Sequence, residues 1–182
     1  WLKEQTSTET EGVFKDVVAR VCGFEFVFGL GGIHGSVENE ILESDDDSVI
    51  VDLDVTSYYP TLAIANRFYP QHLGQSFVDI YSHLFEQRKS YPKGSPENAM
   101  LKLALNGVYG DSNNVFSVFY DPLFTMRITL NGQLLLCLLA ENIMLNVPGV
   151  KLIQCNTDGL TVGMPHGSSF ALRMVCEHWE KL

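Results

Sequence analysis

The sequence lacks several features that would place the chain in other classes of protein. It has no run of 18 apolar residues, since polar residues and a glycine interrupt the longest candidate, Ile128–Leu145. A membrane span needs about 20 such residues, so we expect a buried helix and no membrane partner. The four cysteines show no CxxC spacing and the five histidines are scattered. This argues against a zinc site and predicts core thiols in a reduced, cytoplasmic compartment.

Positive charge is also scarce, with 12 Lys and Arg against 22 Asp and Glu and a net charge of −10. Nucleic-acid-binding proteins usually carry a basic surface. The charges are unevenly placed, however, because eight acidic residues lie between Glu38 and Asp54 and four basic residues lie between Arg88 and Lys102. This layout suits an acidic metal pocket with a local positive arm. The overall acidity predicts that much of any duplex-binding surface lies outside these residues.

The hydrophobic pattern predicts an α+β fold for a chain of 182 residues. Residues 1–20 are expected to form a helix or an entry linker, and residues 29–35, with four glycines, a turn. We expect strands at Phe24–Phe28, Ser48–Asp54, Val150–Cys155 and Leu160–Gly163, the last two as a hairpin. We expect helices after Pro60, at Gln75–Lys89, from about Pro96 to Tyr109, at roughly Pro122–Leu145 and at Ser168–Leu182.

Three segments in fixed order carry the polar groups of greatest interest: DVTSYYPTL at 54–62, KLALNGVYG at 102–110 and NTDGLTV at 156–162. Asp54 at a strand end and Asp158 in a hairpin turn can together hold divalent ions. Two such ions, about 3.5–4 Å apart, can activate an attacking oxygen and stabilise a leaving phosphate. Either aspartate alone is more often a turn or cap residue, but the three segments together favour a metal-dependent site.

The middle segment has a helical pattern with two distinct faces. Lys102, Asn106 and Tyr109 occur at i, i+4 and i+7 and therefore share one face. The apolar residues Leu101, Leu105 and Val108 line another face. A stripe of one cation, one amide and one phenol suits a triphosphate and a base pair better than plain solvent. Arg88 on the preceding helix can add a two-pronged phosphate contact, although an ordinary solvated arginine is the alternative.

The order and wording of these segments resemble motifs A, B and C of the family B DNA polymerases, over about residues 28–163. The resemblance implies a polymerase palm, an antiparallel sheet with packed helices, that carries a helical fingers insertion. The expected parts are a lead-in segment with a Gly-rich linker at 1–47, palm with motif A at 48–74, fingers helices with motif B at 75–109, and palm with the motif C hairpin and following helix at 110–182.

The resemblance also implies a role for each matching residue. Asp54 and Asp158 would be catalytic and, with Val55, would bind two Mg²⁺ ions, for which Mn²⁺ can substitute. The nucleotide would contact Ser57, Tyr58, Tyr59, Arg88, Lys102, Asn106 and Tyr109, with Tyr59 under the sugar to exclude a 2′-hydroxyl. Template DNA would contact Gly31, Gly32, Gly110 and Thr157, and a plain turn is the alternative for the two linker glycines. The implied partners are primer-template DNA, deoxynucleoside triphosphates and the exonuclease and thumb parts of a longer polymerase chain.

The sequence departs from the family pattern in motif C, where Asn156-Thr157-Asp158-Gly159 replaces Asp-Thr-Asp-Ser. Tyr58 and Gly107 also replace a usual leucine and serine. The predicted function is template-directed DNA synthesis by a piece of a larger viral or phage polymerase, in which case the compartment is the host cytoplasm. The alternatives are a non-catalytic relic that binds nucleotide or nucleic acid, and an acidic ion-binding module built on Asp45-Asp46-Asp47. The ion module lacks the glycine and glutamate spacing of a calcium loop.

Overall fold

The computed structural model describes residues 17–182, which form six strands and five α-helices. The strands are β1 (Val17–Val21), β2 (Phe24–Gly29), β3 (Gly32–Ser36), β4 (Ser48–Asp54), β5 (Lys151–Asn156) and β6 (Gly159–Pro165). The helices are α1 (Tyr58–Ala65), α2 (Ser76–Lys89), α3 (Pro96–Asp111), α4 (Pro122–Asn146) and α5 (Ser169–Trp179). Two short 3₁₀ turns occur at Gln71–Leu73 and His166–Ser168.

The strands form one sheet in the order β1-β2-β3-β5-β6-β4, and every neighbouring pair is antiparallel. Alternate side chains of β6, Leu160, Val162 and Met164, are buried, as expected when one face of a sheet packs against a core. On β4 the two aspartates, Asp52 and Asp54, are exposed. The predicted α+β class and its antiparallel sheet are therefore confirmed.

The chain divides into two compact units. The first contains the sheet and comprises the described residues up to Val55 together with Gln133–Leu182. The second is helical and comprises Thr56–Gly132. In the second unit α3 buries Leu101, Leu105 and Val108, as the apolar spacing predicts, and the buried Tyr81 hydroxyl donates to the Leu105 carbonyl at 2.6 Å. This bond joins α2 to α3.

By length and composition alone, helix α4 is long and apolar enough to cross a membrane. In an apolar stretch of 18 residues within this helix, 44% is buried inside the protein. One of its faces is a core face, since Leu136, Leu139, Ala140 and Ile143 are buried. The indole of Trp179 on α5 also donates to the carbonyl of Leu135 at 2.8 Å. The predicted buried helix is therefore confirmed for one face, while Leu134 and Leu145 on α4 are exposed.

Several expectations were wrong in detail. Residues 17–20 belong to strand β1 and not to a helix or linker, and residues 1–16 lie outside the described part. Much of the glycine segment is strand β3, so that only Leu30 and Gly31 form the turn. Strand pairing along residues 32–36 satisfies backbone groups that a loop would leave to solvent. Helix α3 continues through Gly110 to Asp111.

The cysteines are only partly core thiols. Cys155 is buried, and burial raises its pKa to about 12. Cys137 is half-buried and its pKa is raised to about 11, mainly by burial. Cys22, in contrast, is exposed in the turn between β1 and β2. The prediction of core thiols is therefore wrong for Cys22.

Candidate functional site

The two aspartates of motifs A and C lie on neighbouring strands of the first unit. Asp54 ends β4 and pairs with Gly159, the first residue of β6. One residue further on, the Val55 amide donates to the Asp158 carbonyl at 2.9 Å. The backbones that carry the two carboxylates are therefore adjacent, and both side chains are exposed. We call the segment Asn156–Gly159 the carboxylate turn.

Gly159 allows this close approach. A Cβ atom at this position would stand 2.7 Å from the Leu53 carbonyl oxygen and 2.8 Å from Oδ1 of Asp54. Neither distance is tolerated by a real side chain without movement of its neighbours. The close approach of β4 therefore explains why residue 159 is glycine, and the sequence alone did not show this.

The neutral residue of motif C is used inside the turn. Oδ1 of Asn156 accepts from the Thr157 amide at 2.8 Å and from the Thr157 hydroxyl at 3.1 Å. Asp52 shares a face of the sheet with Asp54, and its carboxylate accepts from the Thr161 hydroxyl at 2.6 Å. A second negative charge therefore lies two residues from Asp54, as the strand period predicts.

The donor set fits magnesium bound together with a substrate. Among residues 17–182 there is no cluster of three or more His, Cys, Asp or Glu side chains able to hold a metal unaided. Magnesium is commonly bound by one or two carboxylates plus phosphate oxygens and water, and not by an all-protein cage. Two adjacent, exposed carboxylates are such a set. Asp45, by contrast, uses Oδ1 to accept from the Ser48 amide and hydroxyl at 2.7 Å, which closes its own turn.

In the second unit an arginine side chain contacts the residue before α1. Ser57, the residue before the helix, has the left-handed backbone conformation (φ 53°, ψ 44°). A non-glycine residue in this region is strained, and such strain is concentrated at functional sites. One terminal nitrogen of Arg88 donates to the Ser57 hydroxyl at 2.6 Å. The Nε atom of Arg88 is buried and has no hydrogen-bond partner among the described residues 17–182, so part of the donor capacity of the guanidinium is unused.

Two tyrosines of motifs A and B are stacked in the same unit. The rings of Tyr59 and Tyr109 lie 4.1 Å apart between centroids, with 22° between their planes. The Tyr109 hydroxyl is hydrogen-bonded to the hydroxyl of the buried Thr129 at 2.7 Å. Burial raises the pKa of the Tyr109 phenol, while its hydrogen bonds to Thr129 and Tyr59 act in the opposite direction. The Tyr109 ring is therefore held in position by its stacking on Tyr59 and by its bond to Thr129.

The remaining predicted nucleotide residues are also in the second unit. Lys102 and Asn106 are exposed on α3, whereas Tyr58 is buried and its hydroxyl donates to the Gly132 carbonyl at 2.6 Å. The predicted template residues are divided, because Gly31, Gly32 and Thr157 are in the first unit and Gly110 is in the second. The assigned roles of all these residues remain predictions.

Sequence reasoning overlooked three buried polar residues beside these motifs. Thr129 supports Tyr109, and Gln133 contacts the turn between β2 and β3. Asn98 donates from Nδ2 to the carbonyls of Arg88 and Tyr91, at 3.1 and 3.2 Å. A usable signal was present for the first two, since Thr129 and Gln133 are polar residues within a largely apolar helix.

The fold is α+β, and the carboxylate turn joins strands β5 and β6 of its sheet. The chain is similar to a solved structure of the family B DNA polymerase from the hyperthermophilic archaeon Pyrobaculum calidifontis, with a TM-score of 0.54 and 18% identity. The match covers 79% of this chain and 26% of that chain, so this chain spans about a quarter of that polymerase. No family model and no curated protein matches the sequence. At this identity the likeness establishes the fold.

Proposed function

We propose that this chain is the palm and fingers portion of a DNA polymerase that adds deoxynucleotides to a primer 3′ end on a DNA template. The observation that carries the proposal is the hydrogen bond from Val55 to Asp158, which sets the end of strand β4 beside the carboxylate turn. The similar archaeal structure is a family B DNA polymerase, which supports the same class of reaction.

In this proposal Asp54 and Asp158, with Val55, hold two Mg²⁺ ions. When bound, the ions activate the primer hydroxyl and stabilise the charge that develops on the leaving pyrophosphate. The protein contributes the spacing of the two carboxylates, which is fixed by the β4–β6 pairing and by the Val55–Asp158 bond. Their exposure leaves room for a triphosphate to complete the metal shell.

The second unit supplies the groups proposed to bind the nucleotide. Backbone amides at the start of α1, beside Ser57, suit the β and γ phosphates. Arg88 and Lys102 neutralise these phosphates, and the unpartnered Nε of Arg88 is the observation that supports an anion there. The ring of Tyr59, stacked on Tyr109, excludes a 2′-hydroxyl, and Asn106 lies on the same helix as Lys102.

A primer-extension assay with the polymerase chain tests the proposal. We expect Mg²⁺-dependent extension of a primed template that stops when Asp54 or Asp158 is replaced. Nucleotide binding without extension at any Mg²⁺ or Mn²⁺ concentration would instead identify a non-catalytic relic. Calcium binding that is unaffected by Asp158→Ala would identify an ion-binding module.

A further inference from the structure

The residue of interest is Gln133, a buried polar side chain on α4 that is 3% exposed. Its amide nitrogen donates to the Gly29 carbonyl at 2.5 Å, across 104 positions of sequence. A buried amide that loses its partner is left without a hydrogen bond to protein or water, which is destabilising. This bond therefore favours one position of the β2–β3 turn relative to α4.

The β2–β3 turn in turn contacts the carboxylate turn. Gly29 pairs with Gly32 across the turn, and Gly32 has φ +151°. A Cβ atom at Gly32 would overlap the methyl group of Thr157. Only glycine lets the Thr157 side chain lie against this backbone, so the position of one turn depends on that of the other.

Thr157 is held from a second side as well. Its amide and its hydroxyl both donate to Oδ1 of Asn156. Thr157 therefore lies between Gly32 and Asn156, and Asp158 is the next residue in the chain. Movement of the β2–β3 turn would release a restraint on the residue that precedes the carboxylate.

We infer that Gln133 is a positioning residue for Asp158, acting through the β2–β3 turn and Thr157. The inference rests on the proposed function, because it assumes that Asp158 holds a metal ion. In this inference Gln133 acts through the Gly29 carbonyl and not as a ligand of the ion. Groups that orient metal ligands in this indirect way commonly affect metal affinity as well as stability.

The test measures Mn²⁺ affinity from the electron paramagnetic resonance signal of the free ion, together with the melting temperature. Gln133→Met keeps the length and volume of the side chain but removes the donor. We expect it to weaken Mn²⁺ binding about tenfold. The matched control is Asn142→Ala on the same helix, where the amide donates to the Leu138 carbonyl of its own helix at 2.8 Å. This control is expected to leave Mn²⁺ affinity unchanged.

A second set of variants tests the link between the two turns, and it decides the question if Gln133→Met does not fold. Gly32→Ala is expected to weaken Mn²⁺ binding. Thr157→Ser removes the methyl group but keeps the hydroxyl, so the double variant Gly32→Ala/Thr157→Ser is expected to regain part of the affinity. Gly23→Ala is the control for backbone strain, since Gly23 has φ +83° and a Cβ atom there would meet open space. It is expected to lower the melting temperature without changing Mn²⁺ affinity.

The outcomes separate this inference from the proposed function. A lower melting temperature with unchanged Mn²⁺ affinity in both Gln133→Met and Gly32→Ala would show a purely structural role and overturn the inference alone. If the wild type binds Mn²⁺ through Asp158 but extends no primer, the proposed DNA synthesis is overturned. The Mn²⁺ affinities of the variants would still decide whether Gln133 positions Asp158. A wild type that binds no Mn²⁺, either alone or beyond the amount bound by an added deoxynucleoside triphosphate itself, overturns both.

Discussion

The ring of Tyr59 is stacked on the ring of Tyr109, with 4.1 Å between centroids and 22° between planes. Tyr109 is in turn hydrogen-bonded to Thr129, at 2.7 Å. An aromatic ring held in this way has few other rotamers to adopt. It can therefore exclude a neighbouring group by steric clash. This arrangement bears on sugar selection by the proposed polymerase.

Replacement of Tyr59 by alanine should admit ribonucleotides. The ring is proposed to exclude the 2′-hydroxyl by a clash, and removal of a clash of only about 1.4 kcal/mol changes the relative rate about tenfold. The ratio of kcat/KM for deoxy- and ribonucleotides measures the effect. Tyr59→Phe keeps the ring and should keep the ratio. An unchanged ratio in Tyr59→Ala would remove Tyr59 from this role.

Replacement of Arg88 by alanine should weaken use of the nucleotide. Loss of a charge-assisted hydrogen bond costs about 1.5–3 kcal/mol, or roughly 10–100-fold in kcat/KM. The fold should tolerate the change, since Asn98 bonds the backbone carbonyl of Arg88 and not its side chain. Arg88→Lys keeps the charge without the planar fork and should recover only part of the loss. Equal KM values in wild type and Arg88→Ala would contradict a phosphate contact.

Asp54→Ala and Asp158→Ala should each reduce extension by at least about a hundredfold, because metal-based charge stabilisation supplies several kcal/mol. Both side chains are exposed, and the bond that fixes the turn uses the backbone carbonyl of Asp158. The melting temperature should therefore change little. Asp46→Ala, another exposed acid of the first unit, is the control and should extend normally. More than a few per cent of activity in either mutant would contradict the metal assignment.

Asn156→Asp should leave extension within about tenfold of wild type, a barrier change near 1.4 kcal/mol, and should shift the Mg²⁺ optimum. An aspartate oxygen can still accept both hydrogen bonds from Thr157 that Oδ1 accepts now. Asp52 already adds a negative charge on the face of Asp54. Titration of Mg²⁺ in extension assays of both forms measures the shift. An inert wild type that Asn156→Asp activates would support the relic hypothesis.

Gly159→Ala should destabilise the first unit by about 1–3 kcal/mol, as is usual when a group is forced into occupied space. The added methyl would meet the Leu53 carbonyl and the Asp54 carboxylate. Thermal unfolding measures the stability, and Mn²⁺ affinity should fall with it because Asp54 must move. Gly167→Ala, where a Cβ would have open space, is the control. A melting temperature equal to that of the wild type would show that β4 and β6 can move apart to admit the methyl group without loss of stability, which would contradict the prediction.

The local elements were predictable because each has its own periodic signal. The β-branched residues of SVIVDLD predicted β4, and the strand period put Asp52 and Asp54 on one face, consistent with the exposure of both. The apolar spacing of Leu101, Leu105 and Val108 gave the buried face of α3. The glycine segment misled the prediction, because four glycines in seven residues are typical of a turn. That segment is a strand because Gly35 pairs with Cys155 in the sheet. A local sequence pattern cannot predict a pairing partner 120 positions away.

By itself the sequence determined the candidate residues and most of the elements, though not β1 and β3, since helix and strand periods and the three motifs are short-range patterns. Only the tertiary structure decided which groups are adjacent. It placed Val55 against Asp158, Tyr59 on Tyr109, and Gln133 against Gly29. These contacts join residues from 50 to 104 positions apart, and they depend on strand order and helix packing. Such contacts form only when the whole chain buries its apolar surface, so no local segment can specify them.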